Sequence, residues 1–241
     1  MTARFLELGI AAPDVLESLQ FYRALGFTEL ATGEAWPHRY AVVTDGRIVI
    51  GLHDVPVASP AVTFVQPSLR RHVLALQDAG TPFEAVRLGE DEFNHALLRD
   101  PADIPVLLVE ARTYSPPSEE SAASCLGELL ELALPVRDPL ASARFWAPLA
   151  PRVVGHREEP AARFRLAADE LVLGLGATPP LSRPALVYAP ARAEALQSVL
   201  DQLGMYPVAG PPFAAGAFGA IRAPEGTEIV LLREDYWPGE T

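Results

Sequence analysis

Glu7 sits inside the apolar run LELGIAAPD (residues 6–14), and Glu131 sits inside LELALPVRD (130–138), nearly the same phrase 124 residues later. A carboxylate inside an apolar strand must find a partner or take up a proton. Ionised, it anchors an amine or hydroxyl of a ligand; protonated, it serves as a general acid. The groups able to act with Glu7 lie in the same half of the chain. EAWPHRY (34–40) supplies Trp36, His38 and Tyr40, RIVIGLHD (47–54) supplies Gly51 and His53, and DEFNHALL (91–98) supplies Phe93, Asn94 and His95. Four of the five histidines are here. Rings with a few polar tips make a small-molecule pocket. The ligand-binding candidates are therefore Glu7, Trp36, His38, Tyr40, Gly51, His53 and His95, with Glu131 and Gly174 as second-half counterparts. Glu7 and His53 are the catalytic candidates.

Strand alternation turns Glu7 and Gly9 away from Leu6, Leu8 and Ile10, and turns Glu131 away from Leu130, Leu132 and Leu134. Each reading has a plainer rival. The glutamates also read as buried groups held by a neighbouring Arg or Tyr. His53 also reads as a strand-end histidine partly in solvent. Gly51 and Gly174 either open room for a ligand or relieve sheet curvature. The second half, poorer in His, is read as structural.

Composition removes several functions. The 241 residues contain no lysine, which excludes Schiff-base chemistry. The single cysteine, Cys125, excludes an intrachain disulfide and a cysteine-based zinc site. A net charge of −12 argues against a nucleic-acid partner. No apolar run reaches membrane-spanning length and no signal peptide is evident, so a cytoplasmic monomer or homodimer with a small-molecule partner is expected.

These groups need elements to carry them, and the repeat supplies those. FYRALGF (21–27) is echoed by FWAPLAP (145–151), RIVIGLHD by ELVLGLGA (170–177), PAVTFV (60–65) by PALVYA (184–189), and PVLLVE (105–110) by EIVLLR (228–233). The Pro-, Ser- and Glu-rich stretch between the halves reads as a linker. Expected domains are 1–113 and 125–241, joined by 114–124. Each half divides again into strand, helix and three strands. Four tandem βαβββ modules, in an α+β fold of two similar domains with mixed, curled sheets and helices outside, are the architecture expected.

LELGIAAPDVLESLQFYRALGF (6–27), YAVVTDGRIVIGL (40–52) and LLRDPADIPVLLVE (97–110), with their second-half counterparts, resemble the vicinal oxygen chelate superfamily. That superfamily includes glyoxalase I, extradiol dioxygenases and bleomycin-resistance proteins. The resemblance implies an open cup in each half, with Glu7 at the first metal-ligand position. The other ligand positions fall on Gly51, on Pro60 or Ala61, and on Leu107, and in the second half on Gly174, on Pro184 or Ala185, and on Val230. One carboxylate per cup falls short of a catalytic ligand set. The expectation is therefore a metal-independent protein without cofactor that binds or sequesters an aromatic or cationic compound. The alternative is a glyoxalase- or dioxygenase-like lyase or isomerase using Glu7 and His53, with or without a divalent metal.

Overall fold

The computed structural model describes residues 3–31, 38–90, 93–110, 124–150, 152–158, 162–176, 181, 183–189, 193–202, 204 and 217–232. The duplicated phrase folds alike each time. In β1 (Arg4–Ala11) Leu8 and Ile10 are buried in the core, and in β9 (Glu128–Leu134) Leu132 and Leu134 are. The aspartate closing each phrase caps the next helix. Asp14 Oδ1 accepts from Glu17 N at 2.9 Å to open α1 (Val15–Ala24), and Asp138 Oδ1 accepts from Ala141 N at 2.9 Å to open α3 (Pro139–Trp146). A cap of this kind contributes about 1 kcal/mol. Each phrase is thus a strand followed by its helix start signal.

β1 has β4 (Val49–His53) parallel on one side and β5 (Ala61–Val65) antiparallel on the other. Outward from these run β3 (Tyr40–Thr44) and β2 (Thr28–Leu30), and in the other direction β8 (Pro105–Val109), β7 (His95–Arg99) and β6 (Ala85–Arg87). The second half repeats the order: β10 (Arg152–Arg157), β11 (Arg163–Ala168), β12 (Leu171–Gly176), β9, β13 (Ala185–Ala189), β15 (Glu228–Leu232), β14 (Ala217–Arg222). Helices α2 (Leu69–Asp78) and α4 (Ala193–Gln202) complete the second and fourth modules. This is the α+β architecture of tandem βαβββ modules expected from the repeat. Among the described residues eight strands form one mixed sheet and seven form the other. In the fourth module residues 205–216 fall outside the described residues, as does nearly all of the stretch expected to be a linker.

One apolar core runs through both halves. It is closed by polar contacts that repeat with the sequence. Tyr22, of the FY pair, donates to Glu225 Oε1 at 2.8 Å, and Trp146, of the FW pair, donates to Asp100 Oδ2 at 3.1 Å. Tyr188 donates to Asp45 Oδ2 at 2.6 Å, while the backbone N–H of Phe5 donates to Asp169 Oδ2 at 3.0 Å. Each contact joins one half to the other. Burial, with a carboxylate beside each ring, lifts the Tyr22 and Tyr188 phenols well above their ordinary value near 10.

Candidate active site

The hairpin of β3 and β4 sets the site. Its turn is fixed by Asp45, whose Oδ1 accepts from Arg47 N and Ile48 N, each at 2.9 Å. The resulting register places Tyr40 opposite His53. Because β4 lies beside β1, both side chains reach Glu7. The Tyr40 hydroxyl donates to Glu7 Oε2, and His53 Nε2 lies 3.5 Å from Glu7 Oε1. Behind it, His53 Nδ1 lies 3.0 Å from His38 Nε2. Glu7 and His53 are each only 4% exposed, so His53 is no solvent-facing strand-end histidine.

The two repeated glycines explain the two repeated glutamates. A Cβ on Gly51 would lie 2.7 Å from Glu7 Cδ, and one on Gly174 would run into the Glu131 carboxylate. Each carboxylate folds over its glycine, so Gly51 holds room for Glu7 and not for a ligand. The space beside a ligand belongs to Gly9. A Cβ there would stand 3.7 Å from both His53 Nε2 and Thr63 Oγ1, so these polar atoms border one small gap. Among the described residues the buried Thr63 hydroxyl has no hydrogen-bond partner.

That gap opens into a cavity of about 520 Å³ on the Glu7 face of the first sheet. Glu7, Thr63, Leu107, Leu97 and Ala85 stand side by side on β1, β5, β8, β7 and β6, and all five line it. Arg87, Phe93 and His95 line it too. His95 therefore belongs with Glu7 and His53, as the sequence implied, while Asn94 is spent on Gly89 N and Glu110. His38 and Tyr40 reach the site through His53 and Glu7. Trp36 lies outside the described residues.

The second cup holds the same carboxylate under different constraint. Glu131 is wholly buried and paired with Arg163 and with Arg165, the latter at 3.2 Å. Register matches Arg163 to Tyr40, Arg165 to Val42 and Gly176 to His53. A phenol and an imidazole, which exchange protons, hold Glu7. Two permanent cations hold Glu131.

No protein-family model matches the chain, and no curated protein does. Solved structures do. Homoprotocatechuate 2,3-dioxygenase from Brevibacterium fuscum matches over 99% of this chain and 73% of its own, at 17% identity and a TM-score of 0.64. The Arthrobacter globiformis enzyme of the same name matches over 99% and 82%, at 16% identity and a TM-score of 0.61. A catechol 2,3-dioxygenase matches over 97% and 88%, at 16% identity and a TM-score of 0.59. The fold is that of the extradiol dioxygenases. These neighbours belong to the vicinal oxygen chelate superfamily, and one B. fuscum variant was solved in complex with HPCA.

Two expectations are corrected here. The expectation of a metal-independent protein that sequesters an aromatic or cationic compound is contradicted by the fold neighbours, which are ring-cleaving dioxygenases and stand nearer to the alternative. The expectation of no cofactor is corrected by the same neighbours, since extradiol dioxygenases use iron or another divalent metal ion. Among the described residues no group of three or more His, Cys, Asp or Glu side chains is placed to hold a metal. Glu7 and His53 are described side chains there that could serve as donors to such an ion. No helix among the described residues is long and apolar enough to cross a membrane.

Proposed function

We propose that the first cup is the active site of a dioxygenase-like enzyme acting on a small hydroxylated aromatic compound. The observation that carries this reading is the Glu7 carboxylate, held by Tyr40 and His53 in a cavity walled in part by Val57, Ala61, Leu97 and Leu107. Tyr40 occupies Oε2. Oε1 lies 3.5 Å from His53 Nε2, beyond a normal hydrogen bond, and is the oxygen free to take a substrate proton.

The step assigned to the chain is activation of the substrate hydroxyl. Its O–H bond breaks, the proton passes to Glu7, and the electron pair stays on oxygen as a phenolate. The Thr63 hydroxyl, unpartnered among the described residues, is the donor beside Gly9 for that oxyanion. His38 sets the orientation of His53 through its contact at 3.0 Å. The apolar walls at Leu97 and Leu107 take the ring and keep water away. The second cup, its carboxylate held by Arg163 and Arg165, is proposed to be structural. We place the two domains at 1–113 and 125–241, and the protein in the cytoplasm as a monomer or homodimer with no nucleic-acid partner.

The test is turnover of simple phenols and catechols by protein prepared with iron, followed as oxygen uptake and loss of ring absorbance. Glu7→Gln should lower kcat/KM by about 10²-fold or more, the usual contribution of a general base. Equal rates in parent and variant would remove Glu7 from the chemistry.

A further inference from the structure

A second cavity, of about 530 Å³, lies between the two halves, on the other face of β1. Alternation along that strand divides the two: Glu7 and Gly9 line the first-cup cavity, while Leu8 and Ile10 line this one. Leu132 and Leu186 of the second half join Leu8 and Ile10 as its apolar floor. The volume is that of a small-molecule site. It takes no part in the chemistry of the first cup.

Its charged groups come from both halves. Two of them satisfy each other at the rim. Arg99 Nη1 donates to the Asp103 carbonyl oxygen at 2.9 Å and Arg99 Nε to Glu84 Oε1 at 2.5 Å, and the Asp103 side chain is 84% exposed. The other two are left short. Glu225 Oε1 accepts from the Tyr22 hydroxyl at 2.8 Å and from the Thr227 hydroxyl at 2.7 Å, but Glu225 Oε2 is buried with no hydrogen-bond partner. A buried carboxylate oxygen without a donor is costly. Arg183 makes no hydrogen bond among the described residues. Its ion-pair partner Glu228 stands 3.8 Å from Arg183 Nε and is itself held at 2.7 Å by Arg222. These two groups are neighbours: Arg183 Nη1 lies 3.9 Å from where a Cβ on Gly226, the residue after Glu225, would stand.

A carboxylate in want of a donor and a guanidinium in want of an acceptor, side by side at an apolar floor, match one ligand chemistry. Ammonium, carboxylate and apolar body belong on a single small molecule. An amine alone leaves Arg183 without an acceptor, and an apolar acid alone sets its charge beside Glu225. We propose that this cavity binds an α-amino acid with an apolar side chain, its ammonium on Glu225 Oε2, its carboxylate on Arg183 and its side chain on the leucine floor. Glu225 is part-buried, so its side chain turns Oε2 into the cavity while Oε1 keeps the Tyr22 hydroxyl. The site does not depend on the first cup or on its reaction.

Three probes test it by titration calorimetry on the full chain. They are L-leucine, 3-methylbutylamine, which lacks only the carboxylate, and 4-methylpentanoate, which lacks only the ammonium. Leucine should bind about fivefold more tightly than the amine, the most that an ion pair to the exposed Arg183 adds. It should bind about tenfold more tightly than the acid, or better, because the acid forgoes a charged hydrogen bond. Arg183→Gln should bring leucine and the amine within about twofold and leave the leucine-to-acid ratio standing. Glu225→Gln should do the reverse. Glu7→Gln should leave leucine binding unchanged. Arg183 makes no hydrogen bond, so its variant still decides the matter if Glu225→Gln fails to fold. The proposal is overturned if leucine does not bind at millimolar concentration, or if either ratio survives the variant meant to erase it. Loss of leucine binding in Glu7→Gln would overturn it as well, by placing leucine in the first cup.

Discussion

Gly51→Ala is a one-carbon test of how the site is built. The added methyl would stand 2.7 Å from Glu7 Cδ and Oε2 and 2.9 Å from Oε1, closer than real Cβ contacts come. The backbone at Gly51 has no positive φ, so conformation is no obstacle. The carboxylate must swing aside, and it then loses the Tyr40 hydroxyl, a charge-assisted bond contributing about 1.5–3 kcal/mol. Restricting the unfolded chain returns about 0.4–1 kcal/mol. The expected net loss is about 1–2 kcal/mol, a fall of roughly 4 °C in Tm for a chain this long. Urea unfolding of parent, Glu7→Ala, Gly51→Ala and the double variant measures the coupling directly. With the carboxylate gone, Gly51→Ala should be neutral or stabilising, giving a coupling of about 2 kcal/mol. A Gly51→Ala protein as stable as its parent, or a coupling near zero, would refute the claim that glycine and carboxylate occupy one space.

Gly9→Ala should behave in the opposite way: its methyl meets neighbours at an ordinary 3.7–3.8 Å, so stability should hold while turnover falls severalfold, checked by urea unfolding beside kcat/KM. Arg163→Met should cost about 3–5 kcal/mol in urea unfolding, because Glu131 and Arg165 are left as an imperfect buried pair, whereas removal of an exposed arginine such as Arg71 should cost under about 0.5 kcal/mol. Tyr188→Phe should lose about 1–3 kcal/mol at pH 7, with Asp45 still held by its turn. Since burial raises the Tyr188 phenol above its unfolded value near 10, the stability it adds is full below pH 10 and is lost as pH rises further, so urea unfolding of the variant should show a shallower alkaline fall, by up to about 1.4 kcal/mol per pH unit.

The architecture was legible because it is written twice. A strand, a capping aspartate and an aromatic pair recur at constant offset, and each feature has one local physical cause. Alternation likewise sends Glu7 to the face opposite Leu8, and the cavity lies on that face. What lay beyond the sequence was register. Gly51 reads as empty space until β4 is known to lie against β1, where the glutamate itself fills that space. The pairing of Tyr40 with His53 on Glu7, against Arg163 and Arg165 on Glu131, depends on how two hairpins align. The near-copy phrases give no hint of it. Arg87 sits on a strand of three residues with no distinctive pattern, and Gly9 differs from Gly51 only in which neighbour's side chain arrives first. The histidines of the first half have no echo in the second, where Gly176 stands at the register position of His53.

The location of the reacting hydroxyl is the central claim, and a crystal structure of the protein with 3-(4-hydroxyphenyl)propanoate tests it most directly. The account predicts the phenol oxygen over Gly9, within hydrogen-bonding distance of Glu7 Oε1 and Thr63 Oγ1. A ligand bound in the second half against Glu131, or in the first cup with its carboxylate toward Glu7, would contradict it.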